Sequence, residues 1–159
     1  MRMALLPFLT MVPCLFAQGG ANCQPVGGGI LTNFIDSTTT LGSATGDLRG
    51  GLGVDVLRVT QGAGGTTVFH VQHHWVTESG DTIFVAAADV TAYPIAAIPG
   101  LYAVSYNSGF QITGGTGRFA GATGNVSAFG AINLNLDLGQ VTLRYAGQVC
   151  SKPVIAGLR

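Results

Sequence analysis

The chain has 159 residues, a formal net charge of zero and only 9% charged residues, against roughly 25% in ordinary soluble domains. That length suits one domain with a real core. One lysine and six arginines are scattered rather than clustered, which excludes the basic footprint of a nucleic-acid binder and a polybasic membrane patch.

In chain order, the first segment is a short positive start, Met1-Arg2-Met3, followed by the apolar run Ala4–Ala17 and then small residues. This is the pattern of a secretory signal peptide, residues 1–21, with cleavage after Ala17 or after Ala21. The mature domain is then 22–159, secreted or periplasmic, with no membrane association once the signal is removed. Removal takes Cys14 with it and leaves Cys23 and Cys150, one near each end. In an exported chain that pair reads as a disulfide.

From there the sequence has the period of strands, with β-branched and aromatic residues between Gly, Asn and Asp breaks. Strands are expected over Gly28–Ile35, Leu52–Thr60, Thr67–Thr77, Thr82–Ala92, Leu101–Thr113, Asn125–Leu138 and Val141–Val149, with a short one inside Thr38–Gly46. Glu78-Ser-Gly-Asp81 reads as a tight turn between two of them. The clearest alternation is Ile132-Asn-Leu-Asn-Leu-Asp-Leu138, whose leucines share one face. No helix is expected after the signal, and the chain reads as all-β, a sandwich or a closed antiparallel barrel.

Two motifs invite other readings. Gly115-Thr-Gly117-Arg-Phe-Ala120 fits a loose dinucleotide-binding turn, but that turn needs a helix after its glycines. Here Gly121-Ala-Thr-Gly124 leads into another alternating strand, so the glycines read as a strand-to-strand corner packed by Phe119. Asn133-x-Asn135-x-Asp137 begins like a calcium loop, but Leu138 stands at its glycine position and Arg144 at its glutamate position. The alternating leucines there read as strand.

The corner motif carries a resemblance. A strand, then Gly-Gly-Thr-Gly-Arg-Phe119, small residues, Gly124 and a further strand resembles the dirigent and allene oxide cyclase barrel superfamily. More closely, it resembles exported bacterial proteins with an allene-oxide-cyclase-like barrel. Thr32-Asn-Phe-Ile35, Gly46-Asp-Leu-Arg49 and Ser79-Gly-Asp81 are further echoes. The resemblance implies a single antiparallel eight-stranded β-barrel with a central apolar cavity, often trimeric. The plant relatives steer a reactive small molecule to one stereochemical product. Their catalytic groups have no motif that aligns here.

Candidate functional residues follow from the strand faces. In Phe69-His-Val-Gln-His-His-Trp75, His70 and His74 are roughly 13 Å apart on a strand, too far to share a zinc ion, and no metal or other cofactor is expected. His73 lies on the apolar face with Phe69, Val71 and Trp75. Tyr102, Val104, Tyr106, Phe110 and Ile112 share another face. Tyr102, Tyr106, Phe110, His73 and Trp75 are therefore the candidate ligand-binding residues of a lumen. Asp89 and Asp55 are lone carboxylates among apolar neighbours; buried, either would have a raised pKa suited to acid–base catalysis. Two functions compete. One is a binding or structural barrel holding a small hydrophobic ligand. The other is a cyclase- or isomerase-like enzyme using Asp89 or Asp55. Two or more of Asp89, Asp55, Arg58, His73 and Tyr106 facing inward together would favour the enzyme. Thr82–Val90 is apolar on both faces, with Phe84, Ala86, Ala88 and Val90 expected on one of them. A homotrimer would cover the face left outside.

Overall fold

The structure, a computed structural model, describes residues 22–151; the expected signal peptide lies outside them. Ten strands follow one another, β1 (Asn22–Phe34), β2 (Thr39–Ala44), β3 (Gly50–Gln61), β4 (Thr67–Thr77), β5 (Thr82–Val85), β6 (Ala88–Pro94), β7 (Leu101–Tyr106), β8 (Phe110–Gly115), β9 (Thr123–Asn133) and β10 (Gln140–Ser151). All pairings are antiparallel. β5 and β6 both pair with β4, while β7 and β8 both pair with β9. Each couple occupies one position in the wall. The ring β1-β2-β3-β4-β5/β6-β7/β8-β9-β10 closes through β10–β1, giving an eight-stranded up-and-down barrel. Closure leaves the eight positions without a free sheet edge along most of their length.

The two expected long strands are each interrupted. Between β5 and β6 an extra residue slips the register: His74 faces Phe84, but Val71 faces Ala88. Ile83 and Val85 point inward before the bulge and Val90 after it, while Phe84 and Asp89 point outward. The expected stripe of Phe84, Ala86, Ala88 and Val90 is therefore cut in two, because one added residue reverses every later side chain. Between β7 and β8, Asn107-Ser-Gly109 makes a two-residue excursion, with Gly109 at φ +69°. Two extra residues preserve parity, so Tyr106, Phe110 and Ile112 still share the inner face.

The most regular alternation in the sequence is not a strand. β9 ends at Asn133, and Leu134–Leu138 form a loop. The Asn133 side chain accepts the Asn135 N–H at 3.0 Å, and the Asn135 amide donates to Pro99 O at 2.9 Å. Asparagine side chains that bond nearby backbone offer the chain a turn in place of a ladder, and here they outweigh the leucine pattern. Leu134, Leu136 and Leu138 are all exposed.

The barrel has two unlike ends. The connections 35–38, 62–66, 95–100 and 134–139 gather at one end, the mouth. The connections 45–49, 78–81 and 116–122, with both termini of the described chain, gather at the base. The base is closed by two copies of one device. Thr45-Gly-Asp-Leu48 and Thr116-Gly-Arg-Phe119 each make a single 3-10 turn. Each starts from a glycine at positive φ (Gly46 +83°, Gly117 +50°) and buries its last hydrophobic residue. Thus the glycine corner Gly115-Thr-Gly-Arg-Phe119 is a plug, and Phe119 packs it as expected. A β-carbon on Gly117 would collide with the Asp81 carboxylate. The first plug needs glycine on its neighbour too: a β-carbon at Gly28 would run into Thr45 O. That bare backbone lets the Tyr145 hydroxyl donate to Thr45 O at 2.7 Å and accept the Leu48 N–H at 2.9 Å. Trp75 Nε1–H donates to Leu48 O at 2.8 Å. Cys23 and Cys150 face each other across β1 and β10 and form a disulfide, S–S 2.04 Å.

Candidate functional site

The inner faces of the strands supply the site. β3 and β4 run antiparallel with Leu52 opposite Trp75, Val54 opposite His73 and Val56 opposite Val71, and all six side chains belong to the core. Toward the base the lumen is filled by aromatic rings. Trp75 is fully buried and meets the Tyr145 ring edge-on (5.7 Å, 90°) and Phe110 at 5.9 Å. Phe110 also meets Tyr106 at 5.6 Å and His73 at 5.4 Å. Tilted and edge-on contacts of this kind favour the ring quadrupoles and add to plain burial.

Above this floor the lumen is open. A cavity of about 60 Å³ lies between Ile30, Thr32, Val54, Val71, Val104 and Leu143, with Tyr106 on its border. No charged residue lines it. Several times the volume a single water needs is present, but the walls are almost wholly apolar, so it suits hydrocarbon better than water. Beyond Phe34, Phe69 and Ile132 it widens into a mouth of about 430 Å³, bordered by Tyr102 and by Leu134, Leu136 and Leu138. Asp36 and Asp137 are the charged residues at this opening. Asp36 is held in its turn by the Thr38 and Thr39 N–H groups, both at 2.8 Å. The Thr38 N–H leads in holding its carboxyl below the usual range.

One polar pair sits in the floor. His73 Nε2 and the Tyr106 hydroxyl are 2.6 Å apart. His73 is 3% exposed, and its Nδ1 is the buried side-chain polar atom without a partner among the described residues. Burial pushes the imidazole down to about 4, with a smaller push from His74, so the ring is neutral at pH 7. Burial also holds the Tyr106 phenol above the usual tyrosine range. Both groups are therefore uncharged, and each is the other's hydrogen-bond partner.

Of the candidate ligand-binding residues, His73, Tyr106, Phe110 and Trp75 come together in the floor, and Tyr102 stands apart at the mouth. The candidate acids lie elsewhere. Asp55 and Asp89 are on the outer wall, roughly half exposed, and each meets a histidine of β4: Asp89 Oδ1 with His70 Nδ1 at 2.7 Å, Asp55 Oδ2 with His74 Nε2 at 2.9 Å. The apolar neighbours two residues away do not enclose them: Leu57 beside Asp55 and Ala87 beside Asp89 are themselves exposed. Arg58 follows the bulge at Leu57 and is exposed on the outside. Sequence reasoning missed the polar threonines of the lumen, Thr32 and Thr40, which border the cavity from β1 and β2. The period-two spacing of Thr32 with Ile30 and Phe34 was the available signal for the first of them. Comparison with protein-family models, with curated proteins and with solved structures found no match to this chain.

Proposed function

We propose that this protein is an exported barrel that holds a small, uncharged, largely apolar molecule, with its apolar part in the lumen and the remainder in the mouth. The single observation carrying this is an apolar cavity above the aromatic floor, with no charged side chain on its walls, that shares Phe34, Phe69 and Ile132 with the open mouth. A carboxylate on the ligand would be desolvated there with no cation to meet it, a cost of several kcal/mol, and at the mouth it would meet Asp36 and Asp137. The ligand is therefore neutral. The disulfide fits an oxidising compartment, and among the described residues no helix is long and apolar enough to cross a membrane. The eight-stranded barrel is consistent with the allene-oxide-cyclase-like resemblance of the corner motif.

The test is a titration with a neutral apolar fluorophore. Val54→Trp, which fills the cavity from its wall, should abolish its binding, while Thr142→Trp on the outer face of β10 should leave it unchanged. Equal binding by both variants would refute the lumen as the site.

The second reading, a cyclase- or isomerase-like enzyme, is favoured by one observation: His73 and Tyr106 face inward together. In that case Tyr106–His73, rather than Asp89 or Asp55, would handle the proton. Against it, the pair is engaged with itself, and of the two only Tyr106 borders the cavity. Tyr106→Phe separates the two, leaving affinity nearly intact in a binding protein and abolishing turnover in an enzyme. The homotrimer belongs to the same set of proposals. The outer patch it would cover is Leu41, lying over Gly53, with Val76 and Phe84. Sedimentation of the native chain beside Phe84→Glu tests it: the variant should be the smaller species, and a monomer in both refutes the trimer.

A further inference from the structure

The connections at the two ends of the barrel differ in charge. The base carries Asp47, Arg49, Glu78, Asp81 and Arg118, partly joined as ion pairs, Arg49–Glu78 at 3.8 Å and Arg118–Asp81 at 3.7 Å. The mouth connections carry Asp36 and Asp137 and no lysine or arginine. Yet large apolar side chains stand exposed there, Ile35, Val59, Ile98, Leu134, Leu136 and Leu138, while others such as Leu41, Phe84 and Phe129 are spread over the wall. They come from all four sides of the opening, at or beside the four mouth connections, and so form a ring rather than a stripe. Three of them, the leucines of the 134–139 loop, also border the mouth cavity, so the ring is continuous with the lumen.

We propose that this mouth ring docks on an uncharged lipid surface. Soluble chains seldom leave an apolar area of this kind bare. The shape of the area selects the occupant. A ring around a hole buries its centre only against something able to flow into the hole, which acyl chains do. A second copy placed mouth to mouth would instead enclose two facing cavities of about 430 Å³ each. It would also set Asp36 and Asp137 of one copy against those of the other, and like charges face to face are unfavourable. The same two carboxylates, with no mouth cation beside them, argue against an anionic membrane, which recruits proteins through lysine and arginine. Zwitterionic or neutral lipid remains, held by apolar side chains entering the headgroup–acyl boundary. The opening would then serve as the passage for an apolar ligand between lipid and lumen, though docking itself does not require a ligand.

The experiment uses the whole chain with phosphatidylcholine vesicles whose acyl chains are brominated. Leu136→Trp at the mouth is compared with Phe129→Trp on the wall; both positions are exposed, and the native Trp75 is buried and gives a constant background. The mouth tryptophan should lose roughly half or more of its emission, since interfacial side chains reach about 5–10 Å into the boundary; the wall tryptophan should not. Leu136→Asp with Leu138→Asp should weaken vesicle partitioning by at least about tenfold. Insertion through the apolar N-terminal run alone would leave Leu136→Trp unquenched and overturn the proposal. So would tighter binding to phosphatidylglycerol than to phosphatidylcholine, or a blue shift of the mouth tryptophan with protein concentration in the absence of lipid, the mark of two copies meeting.

Discussion

Replacing His73 by glutamine should remove a defined part of the protein's acid sensitivity. In the folded chain, burial puts the imidazole at about 4, against the 6.5 of an exposed histidine. The folded state thus binds fewer protons than the unfolded state between these values. The stability contributed by the neutral buried ring is fully present above pH 6.5 and is lost as pH falls toward 4. At 1.36 kcal/mol for each pKa unit, the difference is roughly 3 kcal/mol. With a urea dependence of about 1.5 kcal/mol/M, typical of a domain this size, that moves the midpoint by about 2 M. The assay is urea unfolding at pH 7, 6, 5 and 4, with the disulfide intact, for the native chain and for His73→Gln. Glutamine retains a hydrogen-bonding group for Tyr106. Its lower stability at pH 7 is immaterial, because the readout is the change with pH. The other ionisable groups are common to both proteins and cancel in the difference, apart from the smaller push that His74 exerts on His73. The native curve should fall more steeply than the variant's between pH 6.5 and 4. Parallel curves would refute the buried neutral imidazole and, with it, the sealed floor of the lumen.

Burial raises both Tyr106 and Tyr145, so the folded state keeps these protons longer than the unfolded one, and stability should decline as pH rises above 10. In a spectrophotometric titration of the native protein, two phenols should ionise only at higher pH or on unfolding; if all four titrate together, the floor is wet. Reducing Cys23–Cys150 opens a loop of 127 residues and should cost about 4–5 kcal/mol in the chain-entropy model; the circular dichroism spectrum should stay that of a β-protein, because the β1–β10 ladder remains. An unchanged melting temperature after verified reduction would remove the disulfide from the account. Gly117→Ala forces a side chain into φ +50° against Asp81 and should destabilise by about 1–2 kcal/mol or more, with part of the loss recovered when Asp81→Ala relieves the collision. A neutral effect would show that the corner does not need its glycine.

The barrel was legible in the sequence because its signals are local and redundant. Inner positions such as Val71, His73 and Trp75 repeat at period two between unmistakable turn residues, and the Gly-Thr-Gly-Arg-Phe corner marks a plug that only backbone freedom permits. What misled was arithmetic along the strands. No Gly or Pro announces the bulge at Ala86–Ala87, so the extra residue there passed unnoticed, and with it the reversal that sends Val90 inward. The leucines of 134–138 alternate as a strand does, but Asn133 and Asn135 commit the segment to a turn. Asp55 and Asp89 looked isolated among apolar neighbours because a sequence shows neither face directly. Their partners, His74 and His70, lie across the sheet, 19 residues away in each case. The pairing of Tyr106 with His73, 33 residues apart, was anticipated only as a shared inward direction.

The claim on which the rest depends is that the lumen, rather than the outer wall, receives an apolar molecule. Intermolecular nuclear Overhauser effects between a small neutral hydrocarbon-rich alcohol and the methyl groups of the protein test it most directly. The account predicts contacts to Val54, Val71 and Val104 around the cavity and to Leu136 at the mouth, with none to Leu41 or Val76 on the outer wall. Contacts confined to Leu41 and Val76, or no contact with any lumen valine at saturating alcohol, would contradict it.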